Sequence, residues 1–392
     1  MEERESLIVG KHYPAIDGLR GLAVLLVMWF HSSYFVFVAA EQPMEGAAWV
    51  YYIFSVMGET GVDLFFVLSG FLITGILIDT RHQKNNFKHF YIRRALRIFP
   101  LYYTALFIFL AYFLFMVGLD EASGGLNHKK IAMFFGYVQN WLFHHSTDQF
   151  MLLSHTWSLA VEEQFYLIWP LVFLSFYKKG KPNAAIAICL VMIALSWVLR
   201  LYFGWNGFYK WSYTFTFSRL DVLAFGALLS ILCHQKAQWL QRLRKASPYI
   251  IAVCFVLVST IMFVGAINSG DIEGANHASV VYGLIIFAVL HASLLAYVFL
   301  SPATNIFKRM LFIKPMRMLG KISYGLYLFH VPVMMIGVRL LYDNSSLGYW
   351  PAHIIILLGG GGVSFLLAYL SYHFYEKRFL RLKEKLAPLE RK

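Results

Sequence analysis

The chain has 392 residues, of which 59% are hydrophobic and 14% are charged. Soluble domains carry charge on about a quarter of their residues, so this composition excludes an ordinary soluble protein and indicates an integral membrane protein. The formal net charge of +13 does not predict a nucleic-acid partner, because the basic residues are concentrated between apolar runs, as they are in the cytoplasmic loops of membrane proteins.

Apolar runs of about 20 residues recur along the chain, and this is the length that an α-helix needs to cross a hydrocarbon core of ~30 Å. We therefore predict an all-α integral membrane protein, a bundle of ten transmembrane helices. The predicted spans are 21–40, 61–78, 98–118, 157–177, 183–203, 221–234, 249–267, 278–300, 322–342 and 352–376.

Lysine and arginine are distributed unequally between the two sides of this bundle. With ten spans and both termini cytoplasmic, 28 basic residues lie in cytoplasmic segments and 4 in external ones, as the positive-inside rule favours. A further apolar run, 131–143, would invert every later loop if it crossed the bilayer. We therefore predict that this run is interfacial or re-entrant.

The first span carries two ionisable residues in "DGLRGLAVLLVMWFHSSYF". Arg20 and His31 are eleven residues apart, about 20° beyond three helical turns, so both project from one face. At ~1.5 Å per residue from Gly21, His31 is about 15 Å deep. An ionisable group at that depth is a functional candidate. The alternative is that Arg20 snorkels to the interface while His31 bonds a neighbouring carbonyl.

The third span begins with the basic, aromatic stretch "FYIRRALRIFPLYY". Guanidinium groups donate paired hydrogen bonds to phosphate, and aromatic rings can stack on a base. The stretch therefore predicts a site for a nucleotide-bearing donor, although anchoring to anionic lipid would need the same charges. The candidate residues are Arg93, Arg94, Arg97, Tyr102 and Tyr103.

The fourth span contains two adjacent carboxylates in "SHTWSLAVEEQFYLIWP". Glu162 lies about 12 Å below the outer edge, at the predicted level of His31, and Glu163 points about 100° away from it. We predict that Glu162 meets His31, because an imidazole held by a carboxylate is suited to removing a proton from a hydroxyl. The alternative is an interfacial tryptophan belt followed by a partly wet helix end.

Five further polar residues have structural alternatives of similar weight. Asp63 in "GVDLFFVLSGFLITG" could cap its helix, and Arg219 with Asp221 in "FSRLDVLAFGALL" could form an interfacial ion pair. For His330 in "GKISYGLYLFHVPV" and Glu376 in "YHFYEKRF", the sequence likewise leaves both a functional and a structural role open.

These motifs, in this order, resemble the membrane-bound acyltransferase-3 family, from about Tyr13 to Phe379. The matching segments are "IDGLRGLAVLLVMWFH", "GVDLFFVLSGFLI", "FYIRRALRIFPLYY", "HTWSLAVEEQFYLIWP", "FSRLDVLAFGALL", "LGKISYGLYLFHVPV" and "YEKRF". The resemblance implies a ten-helix enzyme of the inner or cytoplasmic membrane. Such an enzyme moves an acyl group, often acetyl, from cytosolic acyl-CoA to a hydroxyl of a saccharide or another acceptor.

The resemblance also implies roles for individual residues. The essential pair of its R-x10-H pattern falls on Arg20 and His31, and the glutamate of its WSLxxE motif falls on Glu162. Its basic motif falls on Arg93, Arg94 and Arg97, and we add Tyr102 and Tyr103 to the donor site. We expect the substrate to contact Asp63, Trp157, Ser158, Arg219 and Asp221.

From these motifs we predict an O-acyltransferase domain over 13–380 and a basic cytoplasmic tail over 381–392. Acyl-CoA, with acetyl as the expected group, serves as donor, and His31 acts as general base or as a transient acyl carrier. No metal is expected, since the three cysteines lie inside apolar runs without ligand spacing. The rival hypotheses are a transporter or flippase for a glycan, and a non-catalytic membrane subunit.

The expected partners are the lipid bilayer and a saccharide or lipid-linked glycan acceptor. Some relatives continue into an extracytoplasmic SGNH-type hydrolase domain, whereas this chain ends 16 residues after its last predicted span. We expect it to act in the stand-alone form, by itself or with a separate extracytoplasmic partner.

Overall fold

The computed structural model describes residues 7–9, 13–40, 46–116, 128–141, 149–177, 182–235, 238–269, 277–344 and 347–388. Within these ranges the regular structure is helical, with no strand. The α-helices are α1 (Pro14–Ala40), α2 (Gly46–Val56), α3 (Gly61–Thr80), α4 (Asn86–Met116), α5 (His128–Phe135), α6 (Trp157–Tyr177), α7 (Pro182–Trp205), α8 (Tyr209–Thr214), α9 (Thr216–His234), α10 (Leu240–Ser269), α11 (Leu284–Leu300), α12 (Ile306–Phe312), α13 (Lys314–Asn344), α14 (Tyr349–Ile355), α15 (Gly361–Leu370) and α16 (Lys377–Leu386). Short 3-10 segments cover Met57–Thr60, Gln139–Trp141 and Gln149–Thr156, and π segments cover Ser279–Gly283, Ile356–Gly360 and Ser371–Glu376.

Ten helical segments in the described ranges are long and apolar enough to cross a membrane, which confirms the predicted all-α multi-span architecture. They are Pro14–Ala40, Gly46–Thr80, Asn86–Tyr112, Leu152–Tyr177, Pro182–Trp205, Tyr209–His234, Leu240–Gly265, Ser279–Leu300, Lys314–Asp343 and Tyr349–Leu386. Several begin 7 to 15 residues before the predicted spans. In Pro14–Ala40, Asn86–Tyr112 and Lys314–Asp343 the helix continues into polar sequence beyond the apolar run, whereas Gly46–Thr80 and Tyr209–His234 include the separate short helices α2 and α8. Pro14, for example, opens α1 at the first helical position, where its missing N–H costs nothing.

The apolar run 131–143 does not form a span. Its described part contains most of α5, whose 8 residues rise only about 12 Å, and a 3-10 turn at Gln139–Trp141. Two hydroxyls from α4 hold it in place, because Tyr102 donates to the carbonyl of Phe134 and Tyr103 to that of Phe135. Positions 142 and 143 lie outside the described residues, and an interfacial or re-entrant position stays a prediction.

Helices α1 and α13 lie side by side and run in the same direction. A Cβ at Gly320 of α13 would collide with the backbone of Asp17 in α1, and further along the pair His31 lies beside His330. Small residues at such a contact let two membrane helices approach closely. This contact fixes which residues of the two helices share a level.

Candidate active site

Three imidazoles meet within the bundle. His31 of α1 lies against His330 of α13, with 3.2 Å between His31 Nδ1 and His330 Nε2. The ring of His155, in the 3-10 segment before α6, lies 5.3 Å from that of His330, centroid to centroid. His155 and His330 are buried, and His31 is partly exposed. The predicted catalytic histidine is therefore flanked by two further imidazoles.

Backbone carbonyls assign the tautomers of the contacting pair. His330 Nδ1 lies 2.6 Å from the carbonyl oxygen of Tyr327, and His31 Nδ1 lies 2.9 Å from that of Val27. A carbonyl only accepts, so each Nδ1 carries the proton and each neutral ring keeps its lone pair on Nε2. The His31 N–H is then shared between Val27 and His330.

His31 Nε2 has no hydrogen-bonding partner in the part of the chain described. Its lone pair can accept a proton from a hydroxyl or attack a carbonyl carbon. His330 Nε2, in contrast, is already occupied by the N–H of His31. Of these two rings, His31 is therefore the one whose Nε2 lone pair is not already engaged, and its catalytic role stays a prediction.

The predicted pairing of Glu162 with His31 is wrong. Glu162 accepts a hydrogen bond from the Ser69 hydroxyl at 2.5 Å, and that hydroxyl also accepts from Tyr166 at 2.9 Å. No hydrogen bond joins Glu162 to His31 among the described residues.

The prediction failed because it placed Glu162 at the same level as His31 along the bundle. His155 stands at the level of the His31 pair, and Glu162 follows it by seven residues, roughly 10 Å further along the segment. The contacts of His155 and Ser158 with α13 set this register, which distances counted from an assumed membrane edge did not capture.

Glu162 instead lines a cavity of about 250 Å³ on the predicted cytoplasmic side of the histidines. The charged residues in its wall are Arg20, Arg94, Arg97, Glu162 and Glu163. The predicted residues Arg20, Arg94, Arg97 and Glu162 are thus brought together. The expectation that Glu163 points away from the site is wrong, because both adjacent carboxylates reach the wide cavity.

Tyr327 contacts both this cavity and the histidine cluster. Its side chain lines the cavity, and its ring lies 5.5 Å from that of His330. Its hydroxyl is 2.6 Å from the Ser158 hydroxyl and donates to the carbonyl of His155 at 2.9 Å. The Phe65 ring packs against it at 6.1 Å. One aromatic side chain, held by two hydrogen bonds, therefore borders both the cavity and the histidine cluster.

A second cavity, of about 130 Å³, adjoins the first. The two share Ile76, Arg94 and Arg97 in their walls. The other polar residues that line the second cavity are Thr80, Gln83, Asn86, His89, Arg93 and Lys383. We call it the basic mouth, because its charged residues are basic and most of its lining residues belong to the predicted cytoplasmic segment 79–97.

Tyr102 and Tyr103 do not belong to the basic mouth. Both hydroxyls bond the carbonyls at the end of α5, and the Tyr102 ring stacks on Tyr137 at 4.2 Å. The last carbonyls of a helix lack intrahelical partners, which explains these bonds. The structure therefore gives both tyrosines the role of holding the 128–141 segment against α4, and it does not support the predicted donor-binding role.

The pairing of Arg219 with Asp221 is also wrong. Arg219 pairs with Asp63 of α3, whereas Asp221 accepts two hydrogen bonds, of 3.1 and 2.5 Å, from Arg200 of α7. Positions i and i+2 of a helix face different sides, so Arg219 and Asp221 cannot meet. All four side chains are buried. They link α3, α9 and α7 as structural ion pairs.

Of the five residues predicted to contact substrate, Ser158 lines the inner cavity, and the other four line neither of the two cavities described above. Trp157 packs on Phe66 and lies 5.6 Å under the guanidinium of Arg219. The substrate-contact prediction is not supported for Trp157, Asp63, Arg219 and Asp221. Glu376 is buried and accepts from the Ser371 hydroxyl at 3.2 Å.

Comparisons with known proteins agree with this architecture. The profile described as "Acyltransferase domain" matches residues 13–373. Peptidoglycan O-acetyltransferase OatA of Listeria monocytogenes is 33% identical, over 93% of this chain and 55% of its own length. O-acetyltransferase OatA of Staphylococcus aureus is 29% identical, over 95% of this chain and 58% of its own. The chain thus spans little more than half the length of these curated relatives. No solved structure matches.

Proposed function

The chain belongs to the acyltransferase family whose domain it matches over residues 13–373, and on this basis we propose that it is a membrane O-acetyltransferase. We infer that it moves an acetyl group from cytosolic acetyl-CoA to a hydroxyl of a cell-envelope saccharide. The observation that carries the proposal is the Nε2 lone pair of His31, unengaged among the described residues, in a histidine cluster that borders an inner cavity next to the arginine-lined basic mouth.

The arrangement of charges supports acyl-CoA as the donor. Arg94 and Arg97 border both cavities, where guanidinium groups can bind phosphate. The elongated thioester arm would then extend through the inner cavity past Glu162 and Arg20 toward Tyr327. For the thioester to reach His31, the Tyr327 ring has to turn aside.

The reaction follows from the chemistry of the imidazole. As general base, His31 Nε2 takes the hydroxyl proton while the acceptor oxygen attacks the thioester carbon. The C–S bond breaks, a C–O ester bond forms, and the departing CoA thiolate is protonated by the imidazolium. As nucleophile, the same nitrogen attacks the thioester carbon and the C–S bond breaks, so that CoA leaves as the thiolate. The hydroxyl oxygen then attacks the acetyl group, the N–C bond breaks, and the hydroxyl proton passes by way of the freed imidazole to the thiolate. Both routes need Nδ1–H held as it is here.

The relatives support a saccharide acceptor, since the Listeria protein is named for peptidoglycan. We propose peptidoglycan or another envelope saccharide as acceptor, and the cytoplasmic membrane as the location. The transporter hypothesis is not favoured, because the relatives are named as O-acetyltransferases.

The test uses purified protein in nanodiscs with radiolabelled acetyl-CoA and soluble peptidoglycan fragments. We expect release of free CoA thiol, with an equal amount of label appearing as base-labile ester on the saccharide. No thiol release above the protein-free control would contradict the proposed donor. Thiol release with no labelled saccharide would contradict the proposed acceptor.

A further inference from the structure

The last helix of the described chain contributes a cation to the basic mouth. Helix α16 carries Lys383, whose side chain lines this cavity and is only 18% exposed. Arg381 and Lys385, on the same helix, are exposed. The helix runs through position 381, so the predicted tail is structurally continuous with the last span. Residues 389–392 lie outside the described part.

Arg93 holds this helix in place. Its guanidinium donates to both carboxylate oxygens of Glu384, at 3.0 and 3.2 Å, and to the carbonyl of Ala387 at 2.8 Å. An arginine at the carboxyl end of a helix satisfies carbonyls that lack intrahelical partners and interacts favourably with the helix dipole. Both terminal nitrogens of Arg93 are therefore occupied. Arg93 therefore has a positioning role, and its expected phosphate contact stays a prediction.

The basic mouth has more positive than negative charge. Lys383 lies 3.5 Å from Glu384, which also neutralises Arg93. Neither Arg94 nor Arg97 forms an ion pair with a carboxylate in the part of the chain described. Like charges around one partly buried cavity repel each other, and a multiply charged anion relieves that repulsion.

We infer that Lys383 binds a phosphate group of the donor nucleotide, together with Arg94 and Arg97. This inference rests on the proposed acyl-CoA donor and deepens it. The lysine ammonium is a compact charge with three donors, which suits a phosphate that the two guanidinium groups do not fully enclose. The carboxyl-terminal helix thereby completes the donor site, and the Arg93 clamp positions it.

The experiment compares the wild type, Lys383→Ala and Lys385→Ala in nanodiscs of phosphatidylcholine. Acetyl-CoA is compared with S-acetylpantetheine, which lacks the nucleotide and its phosphates. Losing one charge-assisted contact should raise KM for acetyl-CoA in Lys383→Ala about tenfold or more, with kcat little changed. Kinetics with S-acetylpantetheine should stay at the wild-type level. Lys385→Ala is the matched control and should behave as wild type with both donors.

Binding of adenosine 3′,5′-bisphosphate, measured without turnover, separates this inference from the proposed function. We expect the wild type to bind it and Lys383→Ala to bind about tenfold more weakly. Wild-type turnover with an unchanged KM in Lys383→Ala would overturn the inference and leave the proposed function intact. Absence of both bisphosphate binding and turnover in the wild type would overturn both.

An anionic lipid headgroup offers the same chemistry as the donor phosphate. If lipid is the ligand of Lys383, the variant should lose activity equally with both donors, and only in nanodiscs that contain phosphatidylglycerol. That result would overturn the assignment to the nucleotide.

Discussion

Replacing His330 tests whether His31, and not His330, is the reacting imidazole of the histidine pair. In His330→Phe a ring of similar shape remains, but the second acceptor for the His31 N–H, at 3.2 Å, is lost. His31 keeps its bond to the Val27 carbonyl, at 2.9 Å, and therefore its tautomer. The loss is one hydrogen bond, worth about 0.5–1.5 kcal/mol. We expect kcat to fall between about two- and tenfold.

The assay is initial CoA thiol release at saturating acetyl-CoA, with monodispersity and thermal midpoint as folding controls. His330→Gln, whose amide oxygen can accept from His31, should recover part of the lost rate. Removing a true general base costs about 10²–10⁴ in rate. A loss of that size in a folded His330→Phe protein would refute the reasoning, because it would make His330 the reacting imidazole.

Three further predictions concern other parts of the bundle. Tyr327→Phe keeps the ring but removes its hydrogen bonds to Ser158 and to the His155 carbonyl. We expect a kcat equal to or above that of the wild type. A fall in kcat of more than tenfold would show that the hydroxyl takes part in the reaction. Asp221→Ala leaves Arg200 buried and unpaired, so stability should fall by about 3–5 kcal/mol, seen as a lower thermal midpoint. Removing the exposed Arg339–Asp343 contact is the control and should leave that midpoint unchanged. Finally, Arg93→Ala should raise KM for acetyl-CoA as much as Lys383→Ala does, and the double variant no further; additive effects would show that Arg93 binds the donor independently.

The presence of the transmembrane helices could be predicted, because the bilayer thickness sets the length of every apolar run that crosses it. Ten spans followed from that length, and the exclusion of 131–143 followed from charge alone. The helix ends could not be placed in the same way, since hydrogen bonding continues beyond the apolar run. Charged residues beside or within membrane spans are few, and sequence analysis could therefore identify site candidates among them. Four of these candidates line one cavity: Arg20, Arg94, Arg97 and Glu162.

The contact partners of the buried polar side chains were harder to predict, because they depend on packing between helices that are distant in sequence. Periodicity gave the face of α6 that carries Glu162, but only contacts with His330 of α13 show that His155 and His31 lie at one level. His330 carried the same signal as His31, an imidazole inside an apolar run, and could have been ranked with it. Lys383 carried no such signal in the sequence, because a basic segment after the last span is typical of a cytoplasmic tail. Only the structure shows that Arg93 holds this helix and that Lys383 lines the basic mouth.

The central claim is that His31 Nε2 is the reacting nitrogen behind the donor cavity. The most direct measurement is acetyl transfer by His31→Gln protein, with acetyl-CoA binding measured on the same sample. We expect transfer to fall by about 10²-fold or more while binding stays at the wild-type level. Transfer near the wild-type rate by the folded variant would contradict the account.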